Sequence, residues 1–153
     1  YISTLRDDLY NNKIDETYFN KLFSILSQLT SSPKLEYRDF INIISNLDKN
    51  HDIFVYKIED QPVALITLFI EQKLIHGGKS VGHIEDLVVD KQFRNQKIGK
   101  KLLEYIIRIC SNYNCYKVLL DCNDSMCSDF TIEDYYKKQG FIRNGLSMRY
   151  NII

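Results

Sequence analysis

The segment Gly82–Ile107, GHIEDLVVDKQFRNQKIGKKLLEYII, constrains the fold more than any other stretch, because its chemistry changes twice. Ile84, Leu87, Val88 and Val89 read as a buried strand. A polar, mostly basic turn follows. Then Ile98, Leu102, Tyr105, Ile106 and Ile109 recur at the three-and-four spacing of an amphipathic helix. Two carboxylates, Glu85 and Asp86, interrupt the apolar strand just upstream of this basic helix entrance. Burial disfavours such charges, so the pair asks for a chemical reason.

The flanking sequence supplies the frame. Tyr18, Phe19, Leu22, Phe23, Leu26 and Leu29 mark a helix from Asp15, a plausible N-cap, to Leu29, broken by Pro33. Tyr37, Phe40, Ile41, Ile44 and Leu47 mark a second. The runs DIFVYKI and PVALITLFI, joined by Glu59–Gln61, predict a hairpin. A turn at His76–Lys79 leads to the strand holding Glu85 and Asp86. Beyond the basic helix, YKVLLDC reads as a strand and DFTIEDYYKKQG as a helix stopped by Gly140 at the C′ position. LSMRYNI is expected to close the chain as a strand. Helices first, then an antiparallel meander, then alternating strands and helices predict an α/β chain with a mixed, largely antiparallel sheet. With no repeat or linker, residues 1–153 are expected to form a single domain.

Composition narrows the function classes. The 153 residues are 44% hydrophobic and 26% charged, as in globular chains. Twenty basic and twenty acidic residues balance, which argues against nonspecific nucleic-acid binding. No apolar run approaches a membrane span, so no membrane partner is expected. The chain opens at Tyr1 rather than Met, as a trimmed or processed start would. Cys110, Cys115, Cys122 and Cys127 include no C-x-x-C pair, so reduced thiols, no metal and a cytoplasmic setting are expected.

A helix N-terminus carries unpaired N–H groups and partial positive charge, which suits phosphate. Arg94, Lys97, Lys100 and Lys101 surround this one, and Gly99 permits close approach. The order of strand, turn with Arg94-x-x-x-x-Gly99, helix, strand, helix and Gly140-Phe141 resembles the GNAT superfamily of acetyl-coenzyme A-dependent N-acyltransferases. Lys97 stands where that superfamily has its first glycine. GHIEDLVV, NCYKVLLDC, YYKKQGF, EQKLIHGG and SQLTSS narrow the resemblance to the glucosamine 6-phosphate N-acetyltransferases, its amino-sugar branch, over nearly the whole chain.

That resemblance implies a GNAT-like sheet with flanking helices, acetyl-CoA as co-substrate and direct transfer of acetyl to the amine of glucosamine 6-phosphate, a step toward UDP-N-acetylglucosamine. It implies Glu85 and Asp86 as the substrate-binding pair. Neighbours on a regular strand face opposite sides, so both reach one pocket only if the sheet is bulged or splayed near Asp86. The irregularity would release backbone groups of Leu87, Val88 and Val89 for the pantetheine amides. Arg94, Asn95, Gln96, Lys97, Ile98, Gly99 and Lys100 would meet the pyrophosphate. Asp121 falls beside the reacting amine, where orienting it suits an aspartate better than accepting its proton. Tyr136 falls near the thioester sulfur, with Tyr135 as the alternative occupant. The resemblance also implies Thr30 and Lys73 at the sugar phosphate and His76 in a segment lining the sugar site; His76 and His83 are rival bases by chemistry.

Several positions depart from the branch pattern. Its C-terminal arginine, which crosses a homodimer interface, is replaced by Asn151; Arg149, on the same strand face by alternation, is the substitute. Ile132 replaces an asparagine one turn before Tyr136. About six extra residues lie between Asp121 and Tyr136, within NDSMCSDF. His83 is either a base or pocket wall or a structurally satisfied histidine. Cys122 leaves a ping-pong route open. The competing functions are transfer to another amine, such as an aminoglycoside, a polyamine or a protein N-terminus, and noncatalytic acyl-CoA binding.

Overall fold

Hydrophobic alternation and capping chemistry set the elements of this computed structural model, which describes residues 1–122, 126–127 and 130–152. They form two compact units, Tyr1–Leu119 and Leu120–Ile153. The first opens with β1 (Ile2–Thr4) and α1 (Leu5–Tyr10), α2 (Glu16–Leu26) and α3 (Tyr37–Ser45). Then come β2 (His51–Ile58), β3 (Gln61–Gln72), β4 (Ser80–Val89), α4 (Ile98–Asn112) and β5 (Cys115–Leu120). The expectation that helices come first is corrected by β1. Its three residues, too short to show periodicity, are strand because they pair antiparallel with β2.

Five strands lie in the order β1-β2-β3-β4-β5, with β1–β2, β2–β3 and β3–β4 pairing antiparallel. Glu59 and Asp60, both at positive φ (50° and 61°), form the tight turn between β2 and β3, the twist a two-residue hairpin favours. Asp15 caps α2 as expected, its carboxylate accepting from the Tyr18 N–H at 2.7 Å.

Consecutive strand residues serve opposite faces. Val55, Leu65 and Val88 face Leu5 of α1, Tyr18, Phe19, Leu22, Phe23 and Ile25 of α2, and Phe40 and Ile44 of α3. The neighbouring Phe54 meets Tyr105 of α4, ring centroids 5.9 Å apart. Gly82 lets α4 approach β4: a Cβ there would lie 2.5 Å from Cys110 Sγ. Leu103 and Cys110 are buried on α4, whereas Tyr105 and Ile109 are only partly so. The stripe therefore sits slightly round the helix from its expected centre, because Gly82 admits the turn bearing Cys110.

One buried ion pair fastens α1 to the sheet. Lys57 Nζ of β2 lies 2.5 Å from Asp8 Oδ1, both side chains 1% exposed. Asp8 Oδ2 also accepts from Tyr18 at 2.6 Å and Ser3 at 2.9 Å, so both carboxylate oxygens have donors. Burial, then the Asp8 hydrogen bond, pushes the Tyr18 phenol far above its ordinary range.

The second unit contains β6 (Met126–Cys127) paired antiparallel with β7 (Phe130–Thr131), then α5 (Ile132–Lys138). Thr131 and Asp134 make a reciprocal capping box. Gly140 at φ 91° follows the helix end, as expected. Of the extra segment, residues 123–125 and 128–129 lie outside the described residues. The expected C-terminal strand does not form: residues 141–152 carry no strand assignment. Leu146, Met148, Tyr150 and Ile152 alternate as in a strand yet are 91–94% exposed. Alternation selects a face; a ladder partner makes the strand.

Removing one member of a buried pair strands the other charge. Asp8→Ala should therefore lower unfolding free energy by about 3–5 kcal/mol, read as a drop in the urea midpoint.

Candidate active site

β4 is irregular where the paired carboxylates required it. Glu85 lies opposite Thr67 and Val88 opposite Leu65, so β4 fits one more residue than β3 into the same length. Thr67 and Leu65 share a face, which puts Glu85 and Val88 on that face too, three positions apart. Asp86 turns the chain at φ 51°, a left-handed conformation that aspartate tolerates better than most residues. Glu85 and Asp86 are both exposed, Leu87 and Val89 half-buried, and Val88 buried.

Asp90 then fixes the exit from β4. Its side chain is nearly buried and lies 2.6 Å from Lys21 Nζ of α2, and it accepts from the Gln28 amide at 3.3 Å and the Gln92 N–H at 3.1 Å. Its own N–H donates to the Val63 carbonyl at 2.9 Å. Burial alone would push its carboxyl up; the Lys21 bond and the two N–H donors outweigh that and hold it below the usual range. The start of the basic turn is thus anchored to α2.

Arg94, Asn95, Gln96 and Lys97 are exposed. Arg94 Nε donates to the Val89 carbonyl at 3.1 Å, folding the turn back on the strand. Asn95 and Lys97 both take positive φ, 65° and 60°. Among the described residues no side chain caps α4, so its first N–H groups, at Ile98, Gly99 and Lys100, remain available to an anion. Lys97 supplies a cation and the left-handed backbone together.

The β3–β4 turn carries the next group. His76, at φ 53°, stacks on Tyr116 of β5 with centroids 4.2 Å apart. Lys73 Nζ sits 2.5 Å from Glu71 Oε1, and Glu71 Oε2 lies 2.9 Å from His83 Nε2. His83 is thus satisfied by a carboxylate while remaining about one-third exposed. Bonds from Lys73 first and His83 second hold Glu71 below the usual carboxylate range. Thr30 is exposed just beyond α2, its N–H donating to the Leu26 carbonyl at 3.3 Å.

In the second unit, Tyr136 lies on α5 with Tyr135 at 5.3 Å and Phe141 at 5.8 Å between ring centroids. Burial, then Tyr135 and Cys122, pushes its phenol up to about 12. Asp121 is exposed and accepts from Ser147 at 3.4 Å. Arg149 is exposed too, and because no strand forms around it, alternation does not set its direction and the expected substitution for the C-terminal arginine loses its basis. Among the described residues no His, Cys, Asp and Glu cluster could hold a metal, and Cys110 and Cys115 are free thiols.

A model of the Acetyltransferase (GNAT) family matches residues 16–141. The chain belongs to the GNAT acetyltransferase family. It is 30% identical over 149 residues to the glucosamine 6-phosphate N-acetyltransferase of Trypanosoma brucei brucei, covering 95% of this chain and 97% of that one. The crystal structure of glucosamine-6-phosphate N-acetyltransferase from Arabidopsis thaliana superposes with a TM-score of 0.75 at 28% identity, covering 100% of this chain and 98% of that one. A Trypanosoma brucei acetyltransferase structure gives 0.79 at 26% identity, covering 99% of both.

Within this GNAT chain, sequence reading passed over Glu71, Asp90 and Tyr116. Glu71 and Lys73 are an acid and a base two positions apart at the end of a strand-like run, and Asp90 precedes the turn as a capping residue would; both signals were present. Tyr116 had none, since its role lies in what stacks on it. A left-handed lysine carries steric strain that glycine lacks. Lys97→Gly should raise unfolding free energy by about 0.5 kcal/mol after the added chain entropy is deducted, measured as an upward shift of the denaturation midpoint.

Proposed function

We propose that this chain transfers the acetyl group of acetyl-CoA to the amine of glucosamine 6-phosphate, giving N-acetylglucosamine 6-phosphate and CoA. The observation that carries the reading is the β4 bulge at Asp86, which puts exposed Glu85 on the same face as core residue Val88. The choice of amino sugar is supported by near full-length likeness to curated relatives bearing that name. All 153 residues act as one N-acetyltransferase domain, a reading that the match spanning both compact units supports.

The chemistry requires a neutral amine, charge stabilisation at the carbonyl oxygen and a protected leaving thiolate. The amine nitrogen attacks the thioester carbon, the carbon–sulfur bond breaks, and the amine's proton leaves as CoA takes one up. Backbone groups of Leu87, Val88 and Val89 bind the pantetheine amides. The mouth of α4, from Arg94 to Lys100, holds the pyrophosphate through N–H groups and cations. Glu85 and Asp86 bind the sugar, and Asp121 orients its amine. Thr30 and Lys73 meet the phosphate, and His76 lines the sugar site.

Tyr136 hydrogen-bonds the departing sulfur. A phenol at about 12 remains an O–H donor through neutral and mildly alkaline pH. Its raised value makes complete proton loss to a thiolate uphill, so stabilisation by hydrogen bonding is the larger contribution.

The enzyme is further proposed to work as a homodimer, supported by the exposed alternation of Leu146, Met148, Tyr150 and Ile152. That row suits pairing with a second copy better than isolated solvation. The free thiols fit a cytoplasmic setting.

Thiol release from acetyl-CoA, followed with glucosamine 6-phosphate and with a panel of other amines, tests the function; turnover of a peptide but not of the phosphosugar overturns it. Tyr136→Phe should lower kcat by about 10²-fold with little change in the acetyl-CoA KM, equally at neutral pH and at mildly alkaline pH, because its O–H persists across that range. For the dimer, Leu146→Glu with Met148→Glu should halve the mass seen by light scattering; an unchanged mass removes the C-terminal segment from the interface.

A further inference from the structure

Glu71, the penultimate residue of β3, shares a face with Phe69 by alternation, and Lys73, just past the strand's end, sets its ammonium on the Glu71 carboxylate. The pairing Phe69↔His83 puts His83 one row along that same face, diagonal to Glu71. Glu85 follows two residues beyond His83, opposite Thr67. A strip therefore runs along β3 and β4 with an ammonium at one end and the sugar-binding carboxylate at the other. Glu71 lies between them, with both oxygens engaged: Oε1 on Lys73 at 2.5 Å, Oε2 on the His83 ring at 2.9 Å.

A lysine head is a compact charge on a flexible four-carbon stem. Left to itself near the surface, it samples many rotamers and loses that freedom when it binds a phosphate. A carboxylate on the neighbouring row, itself braced by an imidazole, removes part of that cost in advance. His83 gives Glu71 a second anchor on another strand, so the ammonium is referenced to the sheet rather than to its own stem. An exposed lysine–carboxylate pair contributes little to stability, which leaves orientation as the return on placing Glu71 there.

We infer that Glu71 is a positioning residue for the amino-sugar site, its single carboxylate aiming the Lys73 ammonium at the substrate phosphate while His83 braces it from β4. This rests on the reading of Lys73 as a phosphate contact. It separates two fates for His83, the second of which the geometry favours: a base acting on substrate, or a brace acting through Glu71.

The test is steady-state kinetics on the full chain with glucosamine 6-phosphate and acetyl-CoA. Glu71→Ala should raise the sugar KM by about tenfold and leave the acetyl-CoA KM within about twofold. Lys73→Ala should raise the sugar KM similarly, and the double variant should be no worse than Lys73→Ala alone, since the two act as a unit. Glu71→Gln, which keeps an oxygen acceptor for Lys73, should restore the sugar KM to within about threefold of the parent. KM does not depend on the fraction of protein folded, so a stability loss cannot imitate these results. An unchanged sugar KM in Glu71→Ala, or multiplicative effects in the double variant, overturns the inference. If Lys73→Ala itself leaves the sugar KM unchanged, the phosphate reading of Lys73 falls and takes this inference with it. Absence of turnover with the phosphosugar in the parent chain removes the proposed function before either.

Discussion

One extra residue in β4 governs the side-chain assignments around it. A strand alternates sides with period two, so a single insertion exchanges the two faces for every residue beyond it. Before the insertion, His83 and Glu85 share a face with Phe69 and Thr67; after it, Val88 joins that face opposite Leu65. Val88 thereby enters the core with α1, α2 and α3 while Glu85 stays in solvent on the same side. A regular strand would put Val88 on the opposite face from Glu85 and Leu87 opposite Leu65 in its place. The left-handed Asp86 avoids this at the cost of local strain, and aspartate is one of the few residues that adopts this conformation readily.

The rest of the first unit holds that irregular strand in place. Two anchors tie helices to the sheet through charge: Asp8 to Lys57 under α1, and Asp90 to Lys21 on α2. They differ in kind. The first pair is fully buried, so its net worth depends on further hydrogen bonds to the carboxylate, and Tyr18 and Ser3 supply two. The second sits at the site's edge and fixes where β4 ends and the basic turn begins. Gly82 lets the opposite face close: without a side chain there, the sulfur of Cys110 comes up against β4 and brings α4 with it. The mouth of α4 is thus located by packing at its far end as well as by the turn at its near end.

Much of this was legible in order. Period-two and three-and-four spacing gave β2 to β4 and α2 to α5 close to their observed limits, because each buries a definite stripe. The need for an irregular β4 followed once Glu85 and Asp86 were read as a pair meeting one pocket. The C-terminal segment was misread because Leu146, Met148, Tyr150 and Ile152 alternate correctly yet gain no ladder. β1 was overlooked because three residues carry no period. Lys57 gave no sign of burial, since a lysine in a strand usually points outward; its partner Asp8 lies forty-nine positions earlier.

The sequence by itself determined β2 to β4 and α2 to α5, their order and the chemical types brought to the strand–turn–helix junction, because periodicity and capping are local properties of the chain. Tertiary structure decided which charges meet. Glu71 beside Lys73 and His83, His76 on Tyr116, and Lys57 beneath Asp8 all depend on strand register and helix docking. Those are set by burial summed over the whole sheet, and no short stretch of residues encodes that sum.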